Sequence, residues 1–165
     1  LLAREADQGL PDETVCINEV VDAELDKLRL ISRDKPVDTQ LQADCRLIVQ
    51  APEQAVSAVV GNLLRNAYAY PDDGQIRVHI RPRHLLIEDS GVGMSEREIE
   101  EAFQPFFRAD PQRPGGHGVG LTIVRRFSDR FQWPVEIHSR EGGGTRVKIG
   151  YPSAVCEVAG ETRPG

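Results

Sequence analysis

Val56, Val59, Val60, Leu63, Leu64 and Ala67 recur at i, i+3, i+4, i+7, i+8 and i+11, the spacing of one face of an α-helix. No other stretch constrains the fold as strongly, because a continuous apolar face on a helix needs a second layer to cover it. Pro52 falls in the first turn of this helix, where its missing donor costs nothing. Downstream, Asp72-Asp73-Gly74 turns the chain into Gln75 to Arg81, where Ile76, Val78 and Ile80 alternate with polar residues as in a half-buried strand. Leu85-Leu86-Ile87 is a continuous apolar run, as in an interior strand, and it delivers Glu88-Asp89 to a loop.

The flanking segments fit the same plan. Leu1 to Glu5 suit the last turn of a helix entering from upstream, broken by Asp7-Gln8-Gly9-Leu10-Pro11. Asn18 can cap a helix carrying Ile17, Val21, Leu25 and Leu28, which ends before Asp34-Lys35-Pro36. Strands are predicted at Val37 to Leu41 and at Arg46 to Gln50. Ser95 opens a short acidic helix, Phe103 to Gly118 reads as loop, and a third helix is predicted from Val119 to Phe131. Two last strands, Val135 to Ser139 and Thr145 to Tyr151, flank Gly142-Gly143-Gly144. The expected fold class is α/β: a two-layer sandwich of a mixed sheet covered on one face by about three helices. With 165 residues and 39% hydrophobic content, one core is expected. It occupies residues 12–152, preceded by a helix end and linker over 1–11 and followed by a tail, 153–165, that has little to bury and is expected to be disordered.

A formal net charge of -6 removes the electrostatic basis for binding a phosphate backbone, so no nucleic-acid partner is expected. The opening LLAREADQGLP turns polar after three residues and does not resemble a signal peptide. No apolar run approaches the roughly 20 residues of a membrane span, so a soluble, cytosolic portion is expected. Cys16, Cys45 and Cys156 have no metal or redox spacing, and an odd number of cysteines disfavours a complete disulfide framework. Buried or free thiols are expected.

Four groups of residues carry chemistry. Asn62, Asn66 and Tyr70 stand four residues apart on one helix face. Taken alone, the asparagines read first as a polar flank. Yet asparagine forms helices poorly, and its carbonyl oxygen suits a hard cation such as magnesium. Asp89-Ser90-Gly91-Val92-Gly93-Met94 sets a carboxylate at a strand end beside two glycines that let a flat ring approach the backbone; on its own it is an ordinary turn. Phe103-Gln104-Pro105-Phe106-Phe107-Arg108 is either packing or the anchor of a lid whose Arg108 and Arg113 approach phosphates. Gly115-Gly116-His117-Gly118-Val119-Gly120-Leu121 leads into a helix start, where unpaired amides favour anions. His117 reads as a solvent-exposed loop residue.

In this order and spacing, the four groups resemble the asparagine, first glycine, phenylalanine and second glycine boxes of the histidine-kinase catalytic domain, within the gyrase, Hsp90, histidine-kinase and MutL ATPase superfamily. The resemblance runs from about Asn18 to Pro152 and implies the Bergerat-type ATP-binding sandwich. It implies ATP and Mg2+, with Asn66 as the metal ligand, Asn62 supporting it and Tyr70 flanking the adenine. It further implies that Asp89 accepts from the adenine amino group, that Gly91 and Gly93 let the ring close in, and that Gly116, Gly118, Val119, Gly120 and Leu121 form the phosphate loop with Arg108 nearby. Gly144-Thr145 is similar to the minor glycine motif of the adenine pocket.

One position departs from the family pattern: a lysine that commonly precedes the tyrosine is Ala69 here. Arg65, Arg108 or Arg113 would have to supply the missing cation. Hydrolytic branches of the superfamily carry a glutamate one turn before the metal-binding asparagine, and this chain has Asn62 there, so slow intrinsic hydrolysis is expected. The resemblance therefore implies transfer of the ATP γ-phosphate to a histidine. None of His79, His84, His117 and His138 lies in a phosphoacceptor context, so the acceptor is expected upstream of Leu1, on a two-helix dimerisation module. A response-regulator receiver domain is the implied next partner. This portion alone is expected to be monomeric and the whole protein a membrane-anchored homodimer. Alternatives that share the nucleotide boxes are an anti-sigma-factor-type serine kinase, whose members generally lack the phenylalanine box, and a degenerate nucleotide-binding signalling module.

Overall fold

Alternating apolar residues set the sheet. In the computed structural model, which describes residues 10–31, 37–69, 74–91, 93–102, 120–139 and 142–158, strands β4 (Gln75–Arg81) and β5 (His84–Asp89) form a hairpin. Ile76, Val78, Ile80, Leu85 and Ile87 are all buried on one face. β7 (Thr145–Gly150) adds antiparallel to β5, β6 (Val135–Ser139) adds antiparallel to β7, and β2 (Asp38–Ala43) adds parallel to β4. The result is a mixed five-stranded sheet in the order β2-β4-β5-β7-β6.

The apolar stripe of the longest helix covers that face. α2 (Glu53–Ala69) buries Val56, Val59, Val60, Leu63, Leu64 and Ala67, the six residues whose spacing predicted it. It packs against β5 and is flanked by α1 (Ile17–Ile31) and α4 (Gly120–Phe131). α1 contributes Ile17, Val20, Val21, Leu25 and Leu28 to the core, and α4 contributes Leu121 and Val124. A shorter helix, α3 (Glu96–Ala102), begins in a reciprocal cap: the Glu98 amide donates to Ser95 Oγ at 3.2 Å and the Ser95 amide donates to Glu98 Oε1 at 3.2 Å. The opposite face of the sheet carries polar residues such as Gln75, Arg77 and Arg146, all exposed. The expected α/β sandwich, with its helices on one side of a mixed sheet, is the fold observed.

Three features depart from expectation. First, a second sheet exists. β3 (Arg46–Ala51) pairs not with β2 but with β1 (Glu13–Cys16) on one side and β8 (Val155–Glu157) on the other, both antiparallel. The tail expected to be disordered thus supplies a strand at 155–157, with Ala154 buried beside it; three residues are too few to show a period. Second, Cys45 and Cys156 are bonded, with their Cα atoms 5.7 Å apart, and Cys16 is the buried free thiol. Free thiols were expected for all three, because a pair 111 residues apart leaves no local spacing to find. Third, Asn18 lies inside α1, not at its cap. Its Oδ1 accepts from the Leu47 amide at 3.0 Å and its Nδ2 donates to the Cys45 carbonyl at 2.9 Å, tying the helix start to the turn before β3.

Among the described residues no helix is long and apolar enough to cross a membrane. No group of three His, Cys, Asp or Glu among them is placed to hold a metal.

Candidate nucleotide site

The site is built where β5 ends. Asp89 is the last residue of that strand, and directly opposite it across the ladders stand Thr145 on β7 and then Ser139 on β6. The strand end is clamped from the other side, since the Gln75 amide donates to Ser90 Oγ at 2.8 Å and the Ser90 amide donates to the Gln75 carbonyl at 3.1 Å. Asp89 Oδ1 accepts from the Gly91 amide at 2.9 Å, an Asx-type turn that starts the glycine loop. Gly93 continues it at φ 73°, a conformation open to glycine at little cost.

The hairpin between β6 and β7 closes on this strand end. Gly144 adopts φ +80°, and a Cβ built on it would lie 2.0 Å from the Asp89 carbonyl oxygen. No side chain fits there. Ser139 Oγ accepts from the Met94 amide at 2.6 Å, so the glycine loop is also fastened to β6.

Burial dominates the electrostatics of the carboxylate. It pushes Asp89 up to about 6, against the amides of Gly91 and Thr145, which favour the ionised form. A ligand that donates a hydrogen bond to this carboxylate favours its ionised form against the burial.

The asparagine helix carries the second candidate group. Asn66 Oδ1, on α2, is buried and has no hydrogen-bond partner among the described residues, an arrangement that leaves an amide oxygen open for a cation or a donor. Asn62, one turn earlier, is buried and donates from Nδ2 to the Ala58 carbonyl of its own helix at 2.6 Å. Arg65 does not stand beside Asn66. Its Nη1 lies 3.2 Å from where a Cβ on Gly61 would be, next to the buried Glu24 carboxylate of α1. Of the three arginines that could replace the absent lysine, this one is turned toward α1.

The remaining candidates divide. Gly120 opens α4, and Leu121 is buried, so its side chain serves the core and only its backbone is available to a ligand. Tyr70, Arg108, Arg113, Gly116, Gly118 and Val119 lie outside the described residues. The structure therefore brings together Asp89, Gly91, Gly93, Gly144 and Thr145. Sequence reasoning missed Ser139, a lone serine on a short strand with no motif around it.

Comparison with known proteins gives a consistent answer. Residues 51–155 match the model of the histidine kinase-, DNA gyrase B- and HSP90-like ATPase family. The sensor histidine kinase YclK of Bacillus subtilis is 29% identical over 142 residues, covering 81% of this chain and 30% of that protein. The sensor-like histidine kinase SenX3 of Mycobacterium tuberculosis is 24% identical over 166 residues, covering 95% of this chain and 40% of that protein. The chain thus spans well under half the length of these curated relatives. Among solved structures, the mycobacterial sensor histidine kinase MprB superposes with a TM-score of 0.71 at 27% identity, covering 84% of this chain and 95% of that one. The catalytic domain of histidine kinase ThkA shares the fold, with a TM-score of 0.71 at 24% identity over 86% of this chain and 97% of that one.

Proposed function

The chain belongs to the histidine kinase-, DNA gyrase B- and HSP90-like ATPase family, as a histidine-kinase ATP-binding domain, and from that premise we propose that it transfers the ATP γ-phosphate to a histidine on a separate dimerisation module of its full protein. A response-regulator receiver domain then takes the phosphate, and the whole protein is a membrane-anchored homodimer whose catalytic portion faces the cytosol.

One observation carries the choice of kinase over hydrolase. The helix position one turn before Asn66 is Asn62, a neutral amide whose Nδ2 is spent on the Ala58 carbonyl. An amide cannot accept a proton from water, so this position offers no general base. A neutral imidazole needs none, because its nitrogen lone pair attacks directly. The domain's contribution is then position and electrostatics.

The ligand assignments follow. Asp89 Oδ2 is the acceptor for the adenine amino group, since Oδ1 already holds the Gly91 amide. Gly91 and Gly93 give the ring backbone to lie against. The unpartnered Asn66 Oδ1 fits a magnesium ion, a hard cation that takes one or two protein oxygens and keeps phosphate and water oxygens for the rest. Bound there, the metal would neutralise charge on the triphosphate. Gly116, Gly118, Val119 and Gly120 supply phosphate-facing amides, with Arg108 as the closing cation.

The test is turnover by the isolated chain. With Mg-ATP it should bind nucleotide yet release inorganic phosphate slowly; rapid multiple turnover would overturn the kinase reading in favour of a hydrolase.

A further inference from the structure

Ser139 makes three contacts through one hydroxyl, and the chemistry of its neighbours fixes the direction of each. Its Oγ lies 2.6 Å from the Met94 amide, 3.0 Å from the Gly144 carbonyl oxygen and 2.8 Å from Thr145 Oγ1. The amide can only donate and the carbonyl can only accept. A serine hydroxyl has one proton and two lone pairs, so the proton goes to Gly144 and one lone pair takes Met94. The remaining contact closes only if Thr145 is the donor and Ser139 the acceptor.

That assignment has a consequence on β7. With its single proton committed to Ser139, the Thr145 hydroxyl can offer a ligand nothing but lone pairs. Thr145 stands directly opposite Asp89 in the β5–β7 ladder, so the two side chains share a face of the sheet. Two acceptors therefore sit side by side at the strand ends.

We propose that Ser139 is a positioning residue for base specificity: by holding Thr145 as an acceptor beside Asp89, it selects a purine bearing a 6-amino group over one bearing a 6-oxo group. The inference rests on the reading that Asp89 meets the base edge. An exocyclic amine has two protons, one for each acceptor. A 6-oxo purine presents only lone pairs at that position and carries its one nearby proton on N1, so at most one of the two acceptors finds a donor and the other loses its hydrogen bond without compensation. If Ser139 loses its hydroxyl, the Thr145 proton is released and can turn to donate to a 6-oxo group, so discrimination relaxes even where the fold is intact.

The experiment compares ATP with ITP, which carries an oxo group at the 6-position and a proton on N1, by calorimetric titration in magnesium. The native chain is measured beside S139A and beside the shape-matched pair S139T and S139V. The ITP-to-ATP ratio of Kd should fall by about fivefold in S139A and S139V, the scale of one neutral hydrogen bond, and hold its native value in S139T. S139T and S139V share shape and volume, so a general loss of packing would weaken both nucleotides equally and leave the ratio unmoved. A native chain that discriminates while S139A and S139V keep the same ratio overturns the role of Ser139 and leaves the nucleotide site standing. A native chain that binds neither nucleotide overturns the site itself, and this inference with it.

Discussion

A Cβ on Gly144 would lie 2.0 Å from the carbonyl oxygen of Asp89, so the turn between β6 and β7 and the end of β5 meet backbone to backbone. The candidate base acceptor is thus held by a turn more than fifty residues away in sequence.

Gly144→Ala should lower Tm and weaken ATP binding by more than tenfold, because it combines a positive φ, costing about 1–3 kcal/mol for a side chain, with a collision that must displace Asp89. Gly142→Ala is the matched control: its φ is +75° but, among the described residues, nothing lies within 4 Å of the added carbon. That variant should lose stability and keep its ATP affinity. Equal effects on affinity would separate the turn from the site.

Asp89→Asn should reduce ATP affinity roughly ten- to a hundredfold, the worth of a charged hydrogen bond. Burial raises Asp89 to about 6, and the acceptor role needs the ionised form. Affinity should therefore fall as pH drops below about 6, and binding near that pH should release a proton, visible as a dependence of the heat on buffer ionisation enthalpy. In the ligand-free chain the sign is opposite. The raised folded value means that Asp89's stabilising contribution is full below the unfolded value of 3.8 and is lost as pH rises through about 6. The Asp89→Asn variant should lack both dependences.

Asn66→Ala should abolish the magnesium dependence of ATP affinity while leaving adenosine affinity nearly unchanged. It should also not lower the ligand-free Tm, because it removes an orphaned buried oxygen whose burial costs about 1–3 kcal/mol. A large drop in Tm would show that Oδ1 has a structural partner.

Reduction, or Cys156→Ser, should lower stability by about 2–4 kcal/mol, since the Cys45–Cys156 bond closes a long loop. Thiol titration of the unreduced, denatured chain should find one free thiol, Cys16, and three after reduction. Three without reductant would show the bond to be open.

Much of this architecture was legible because period-2 and period-3.6 patterns run long enough to read. The predicted bounds Gln75 to Arg81 and Val135 to Ser139 are the observed strands, and the stripe of α2 is buried as spaced. What escaped depends on contacts distant in sequence. β1 and β8 are four and three residues long, too short for alternation, and only β3 holds them together. Asn18 reads as a cap because asparagine is a residue type that caps helices at the start of an apolar run, but the amide that its side chain accepts from belongs to Leu47. Asp89 was legible through its glycines. Ser139 was not, because its function lies in three partners that the sequence scatters over Met94, Gly144 and Thr145.

Phosphoryl transfer in trans tests the central claim most directly. The chain is incubated with magnesium and ATP labelled on the γ-phosphate, together with the dimerisation module of its full protein. The account predicts acid-labile, base-stable label on a histidine of the module, none on the chain itself, and loss of labelling with Asp89→Asn. Acid-stable label on a serine, or an unlabelled module while ATP binding persists, would contradict it.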